Sequence, residues 1–135
     1  MAWLVPEKKL DAQQRLFLDS EAIFKQNVWI KGFAGSGKSI LILYSVKKIL
    51  ARNPEAKLLL VVFTHSLIKM FTAAFEEMGL NVQVETYYAF MKSPSHYDYI
   101  LCDEVQDLTE RVIVALERHA DRVIVAGDAN QSIYL

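Results

Sequence analysis

GFAGSGKS, residues 32–39, lies between the apolar runs VWIK and ILILYS. It fits G-x-x-x-x-G-K-[ST], a loop in which glycines let successive backbone N–H groups converge on phosphate oxygens while the following helix adds the positive end of its dipole. Read this way, the amides of Gly32, Ala34, Gly35, Ser36 and Gly37 form the cradle, Lys38 reaches the β- and γ-phosphates, and Ser39 ligates Mg²⁺. The alternative is a Gly-rich βα turn carrying a solvated lysine, and the strand and helix context of the full motif weighs against it. Both are predicted: a short buried strand over 28–33 and, over 38–50, a helix apolar around most of its circumference.

Outward from that loop, strands and helices alternate. LLLVVF at 58–63 is rich in branched residues and reads as a central strand. Leu67, Met70, Phe71, Ala74, Phe75 and Met78 recur at helical spacing over 66–78, with Gly79 in the stop position. Further strands are expected at 81–86, 97–103 and 122–128, and a helix at 109–119. Such alternation predicts an α/β fold with a mainly parallel sheet and helices on both faces. Ligands on such sheets bind beyond the C-terminal strand ends, and the polar clusters at 32–39, 103–107 and 127–132 all fall there.

The composition narrows the class. The chain has 135 residues, 53% of them apolar, with 5 Gly and 3 Pro, which predicts one folded domain over 1–135 and excludes disordered and fibrous classes. A net charge of −1 lacks the broad basic signature of a self-sufficient nucleic-acid binder, so any such contact must be local. The single Cys102 fits a reducing compartment. No apolar stretch approaches the roughly 18 residues that span a bilayer. No membrane partner and a cytoplasmic location are therefore expected.

DEVQD at 103–107 follows an apolar strand, so its acids face the same edge as the glycine loop. Asp103 is placed to hold Mg²⁺, and Glu104 to orient and deprotonate an attacking water. Asp107 alternatively caps the helix that contains Thr109.

GFAGSGKS, DEVQD and GDANQSIY (127–134) resemble motifs I, II and III of superfamily 1 helicases of the UvrD/Rep type, and they occur in that family's order. LDAQQ (10–14) resembles the Q motif, VVFTHSL (61–67) motif Ia, and TYYAF (86–90) motif Ib, although Tyr88 stands where the family usually has His. The resemblance implies a RecA-like P-loop NTPase domain with a five-stranded sheet. In it, the strand at 122–127 lies between those at 28–33 and 97–103. It further implies ATP and Mg²⁺ as ligands, adenine recognition by Gln14, and Gln131 as the residue that senses the γ-phosphate beside catalytic Lys38 and Glu104, with Asp128 in support. Single-stranded DNA would lie across Thr64, His65, Thr86 and Tyr134.

Local readings compete at several of these positions. Asp11 and Gln14 also form a D-x-x-Q capping box. His65 also suits a helix cap, and Tyr87, Tyr88 and Phe90 equally suit the core. Only 14 residues separate Tyr88 from Asp103, where helicases of this type carry an inserted subdomain, and the second RecA-like domain, with its motifs IV to VI and its arginines, is expected to be absent. A domain without those arginines is expected to hydrolyse ATP feebly and to unwind nothing. The competing functional class is a non-catalytic P-loop module that docks a protein partner. A small P-loop kinase has little support, because no lid-like basic segment follows the core.

Overall fold

The computed structural model describes residues 6–31, 37–103 and 110–127. Its frame is a sheet of five strands: β1 (Val28–Ile30), β2 (Leu58–Val62), β3 (Gln83–Thr86), β4 (Tyr97–Cys102) and β5 (Ala120–Ala126). Their order is β1-β5-β4-β2-β3, and all four pairings are parallel. The fold is thus an α/β, RecA-like P-loop NTPase fold. The last strand lies between the first strand and β4, in the position that the resemblance implies. The sheet is wholly parallel, which sharpens the expectation of a mainly parallel one.

Among the described residues there are six α-helices: α1 (Ala12–Asp19) and α2 (Ala22–Lys25) precede β1, and α3 (Gly37–Arg52), α4 (His65–Glu77), α5 (Tyr87–Lys92) and α6 (Glu110–Arg118) connect successive strands. A strand alternates its side chains between two faces, and β2 shows the rule directly. Leu58, Leu60 and Val62 join a core under α1, α2, α3 and α4, while Leu59 and Val61 join a second core under α5 and α6. β2 is buried at every position, as a strand covered on both sides must be. α3 likewise buries Leu41, Ile42 and Leu43 completely. Each such side chain contributes about 1.5–3 kcal/mol by leaving water.

Local chemistry sets the helix ends. Asp11 and Gln14 form the capping box at the start of α1. The Thr64 hydroxyl accepts the Leu67 N–H at 3.2 Å to open α4, so Thr64 is the cap and His65 the first helical residue. Gly79 adopts φ +73°, the left-handed conformation that closes a helix with little strain when no Cβ is present. The Leu80 N–H then bonds the Phe75 carbonyl at 2.8 Å.

Two helices were not anticipated. α2 is a single turn entered through Glu21 in the left-handed region (φ 59°), and no sequence pattern announces it. α5 begins inside TYYAF, with the Thr86 hydroxyl accepting the Ala89 N–H at 3.2 Å. Among the described residues no helix is long and apolar enough to cross a membrane.

Candidate functional site

α3 starts at Gly37, directly after the glycine loop, and carries Lys38 and Ser39 in its first turn. The Ser39 hydroxyl donates to Asp103 Oδ2 at 2.9 Å, across 64 residues of sequence. Asp103 itself lies just past the C-terminal end of β4, where its N–H bonds the Val61 carbonyl at 3.2 Å. Two sequence motifs that share no local structure therefore meet at one point on the strand ends.

The meeting point is sealed. Lys38 is 7% exposed and Asp103 1% exposed. A buried charge is tolerated only where other charges and hydrogen bonds compensate it, so this buried polar cluster is expensive to build and its position at the sheet edge is informative. The donor set consists of a hydroxyl and a carboxylate, hard oxygens of the kind Mg²⁺ prefers. Among the described residues there is no group of three or more His, Cys, Asp or Glu side chains that could hold a metal alone. Mg²⁺ usually takes one or two protein oxygens and completes its shell with phosphate oxygens and water.

Gln14 connects the first helix to this site. Its Oε1 accepts the Asp11 N–H at 3.0 Å, its own N–H donates to Asp11 Oδ1 at 2.7 Å, and its Nε2 donates to the Gly37 carbonyl at 3.4 Å. The capping box is therefore real, and it also anchors the residue that begins α3. A side-chain amide has four hydrogen-bonding positions, so one lone pair and one N–H are not used by these contacts.

Behind Asp103 lies an apolar layer. Cys102 is fully buried, and burial first, then the neighbouring Asp103 charge, pushes its thiol up to about 12 although the Tyr87 phenol opposes this. Burial raises Tyr87 well above its ordinary value, with Cys102 and Asp103 adding to the effect. Neither group ionises near neutral pH, so the charge at the strand ends stays with the residues in front of them.

The residues expected to meet nucleic acid separate into two kinds. Thr64 and His65 are exposed at the end of β2. Val62 pairs with Thr86, which brings the end of β3 alongside. Thr86, however, is buried, and its hydroxyl is committed to capping α5. Of the three aromatics in TYYAF, Tyr87 and Phe90 are core and Tyr88 is 76% exposed. Phe63, which sequence reasoning passed over, is 38% exposed and packs edge-on against Tyr87 with ring centroids 5.2 Å apart. Its position as the last residue of the apolar run 58–63, next to Thr64, was the available signal. Gly32, Ala34, Gly35, Ser36, Glu104, Asp107, Thr109, Asp128, Gln131 and Tyr134 lie outside the described residues.

The parallel sheet, the helix that follows the glycine loop and the Ser39–Asp103 contact together define the class, a P-loop NTPase domain. The chain belongs to the AAA-domain family, whose model matches residues 14–135. Over 110 residues it is also 33% identical to F-box DNA helicase protein 1 of Schizosaccharomyces pombe. That match covers 78% of this chain and 12% of the yeast protein, so the chain spans a small part of its relative. Family membership makes it a nucleotide-binding P-loop domain.

Proposed function

We propose that this chain is a single RecA-like domain of a UvrD/Rep-like superfamily 1 DNA helicase, one that binds Mg-ATP and hydrolyses it. The observation that carries the reading is the 2.9 Å contact between Ser39 and Asp103, which unites the glycine loop with the acidic motif. In this reading the amides of residues 32–37 and the Lys38 ammonium hold the phosphates, and Gln14 reads the adenine edge. Ser39 and Asp103 hold Mg²⁺, which when bound offsets charge on the phosphate oxygens. Glu104 would orient a water in line with the γ-phosphorus and accept its proton as the new P–O bond forms and the bond from phosphorus to the β–γ bridging oxygen breaks, releasing ADP and phosphate. Gln131 senses the γ-phosphate and relays its loss.

Single-stranded DNA would cross the other half of the sheet edge, over Thr64 and His65, with Tyr134, which lies outside the described residues, as a further contact on this reading. The exposed rings of Phe63 and Tyr88 are suited to stacking bases there. Turnover coupled to movement along DNA requires a second RecA-like domain that brings arginines to the γ-phosphate. Such a residue is worth roughly 10³–10⁵ in rate for phosphoryl transfer, so this domain alone should be a slow ATPase. Titrating Mg-ATP into wild-type protein and into Lys38→Ala tests the reading. Binding by the wild type and its loss in the variant is the expected result, and equal affinity in the two would reject it.

A further inference from the structure

Tyr87 carries a buried polar group that packing does not need. It is 7% exposed and belongs to the core under α5 and α6, and among the described residues its Oη has no partner in hydrogen-bonding geometry. A buried hydroxyl left without a partner is destabilising, and phenylalanine would fill the same space without that cost. Such a group calls for a reason other than stability.

Its placement supplies one. Tyr87 follows directly on β3, whose last residue, Thr86, pairs with Val62 of β2. From the open rim, Phe63 packs edge-on against it, the ring centroids 5.2 Å apart and the planes at 63°. In the core Tyr87 joins Val61 and Cys102, which are themselves partners in the ladder between β2 and β4. The Val61 carbonyl in turn accepts the Asp103 N–H. Burial first, then Cys102 and the charge of Asp103, raise the Tyr87 phenol above its ordinary value, so the phenol lies within reach of both. One side chain thus spans from an exposed ring at the end of β2 to the segment that carries Asp103.

We propose that Tyr87 is a positioning residue that couples the strand path to the nucleotide site: a base stacked on Phe63 steadies the Tyr87 ring, and the Tyr87 hydroxyl steadies Cys102 and Asp103 in turn. The proposal rests on reading Asp103 as a Mg²⁺ ligand and Phe63 as a stacking ring. A ligand that orders shared side chains leaves less ordering for a second ligand to impose, so each tightens the other without a change of fold. By linkage the two factors are equal. The hydroxyl that stability does not need is then the part that reaches the nucleotide side.

Isothermal titration of Mg-ATP into the protein alone, and into protein saturated with a single-stranded oligodeoxynucleotide, gives the coupling factor as the ratio of the two dissociation constants. In the wild type this factor should be about fivefold, the low end of common couplings. Tyr87→Phe keeps the ring and removes the hydroxyl. It should bring the factor to about one, with a melting temperature equal to or above that of the wild type. A purely structural hydroxyl would change both titrations alike and leave the factor where it was. Phe63→Leu removes the outer ring, should likewise bring the factor towards one at saturating oligonucleotide, and decides the matter if Tyr87→Phe fails to fold. A wild-type factor of one, or a wild-type factor retained by the folded variants, overturns the coupling role alone. Wild-type protein that binds no oligonucleotide overturns the strand path and this proposal with it, and wild-type protein that binds no Mg-ATP overturns the nucleotide reading and this proposal with it.

Discussion

At the β1-β5-β4 end of the sheet edge, Lys38 and Asp103 are almost sealed from water, whereas at the β2-β3 end Phe63 and Tyr88 stand out into it. Both ends have the same backbone frame and the same strand direction. They differ in what a ligand would find there. The first offers fixed charge in a low-dielectric setting, where electrostatic interactions are strong and geometry is exacting. The second offers aromatic faces and hydroxyls on an open rim, which suits a ligand that must slide or be released. One sheet can therefore present a rigid site and a permissive one within a few strands of each other.

The largest expected effect breaks the sealed end alone. Asp103→Asn keeps an acceptor for the Ser39 hydroxyl and removes the charge. Mg-ATP affinity should fall about 100-fold, of the order of one or two charge-assisted hydrogen bonds, while binding of ATP with the metal chelated changes little. Isothermal titration with and without EDTA measures both, and equal losses in the two conditions would disprove a metal role for Asp103.

Next, Tyr88→Ala tests the open end. A stacked base is worth roughly 1–3 kcal/mol, so the affinity for a single-stranded oligonucleotide should drop by about tenfold or more, with Mg-ATP affinity intact. Fluorescence anisotropy at fixed salt reads the first quantity. A Tyr88→Ala protein that binds the oligonucleotide like wild type would remove that ring from the proposed strand path.

Two cap variants sharpen the comparison further. Asp11→Ala and Thr64→Ala each delete a helix cap and should each lower stability by about 1 kcal/mol. Only the first loosens Gln14, whose Nε2 reaches Gly37. A modest loss of Mg-ATP affinity should therefore accompany Asp11→Ala and be absent from Thr64→Ala. Identical nucleotide binding by both would mean that the capping box does not communicate with the phosphate loop.

The smallest effect lies in the layer behind Asp103. The Cys102 thiol is pushed up to about 12 in the folded chain against an ordinary 9.0, so its contribution to stability is intact below pH 9 and is lost progressively as pH rises towards 12. By linkage this amounts to about 1 kcal/mol at pH 10. Urea melts at pH 8 and pH 10 should show the loss, and Cys102→Ala should reduce it. An equal alkaline loss in the variant would assign the effect to other groups, Tyr87 among them.

Much of this was legible before any coordinates. β2 announced itself because a strand covered on both faces reads as an unbroken apolar run. The contact between Ser39 and Asp103 followed from two motifs whose chemistry requires a common ligand. α5 was missed because six residues give little periodicity, although Thr86 with Tyr87 and Phe90 three residues apart was a usable trace. The burial of Thr86 could not be read, since whether its hydroxyl faces water or the Ala89 amide depends on where the strand stops. The bond from Trp29 to Gly127 spans 98 residues and has no local signature at all.

The strand order has a consequence for how this molecule is made. β1 precedes every other strand during synthesis, yet its neighbour β5 is the last of the five to emerge. A nascent chain consequently holds its glycine loop on an unpaired strand until some ninety residues later, when Ala126 leaves the ribosome. On the proposed reading, nucleotide would have little to grip before then, and afterwards would favour the closed sheet by mass action, acting late in folding.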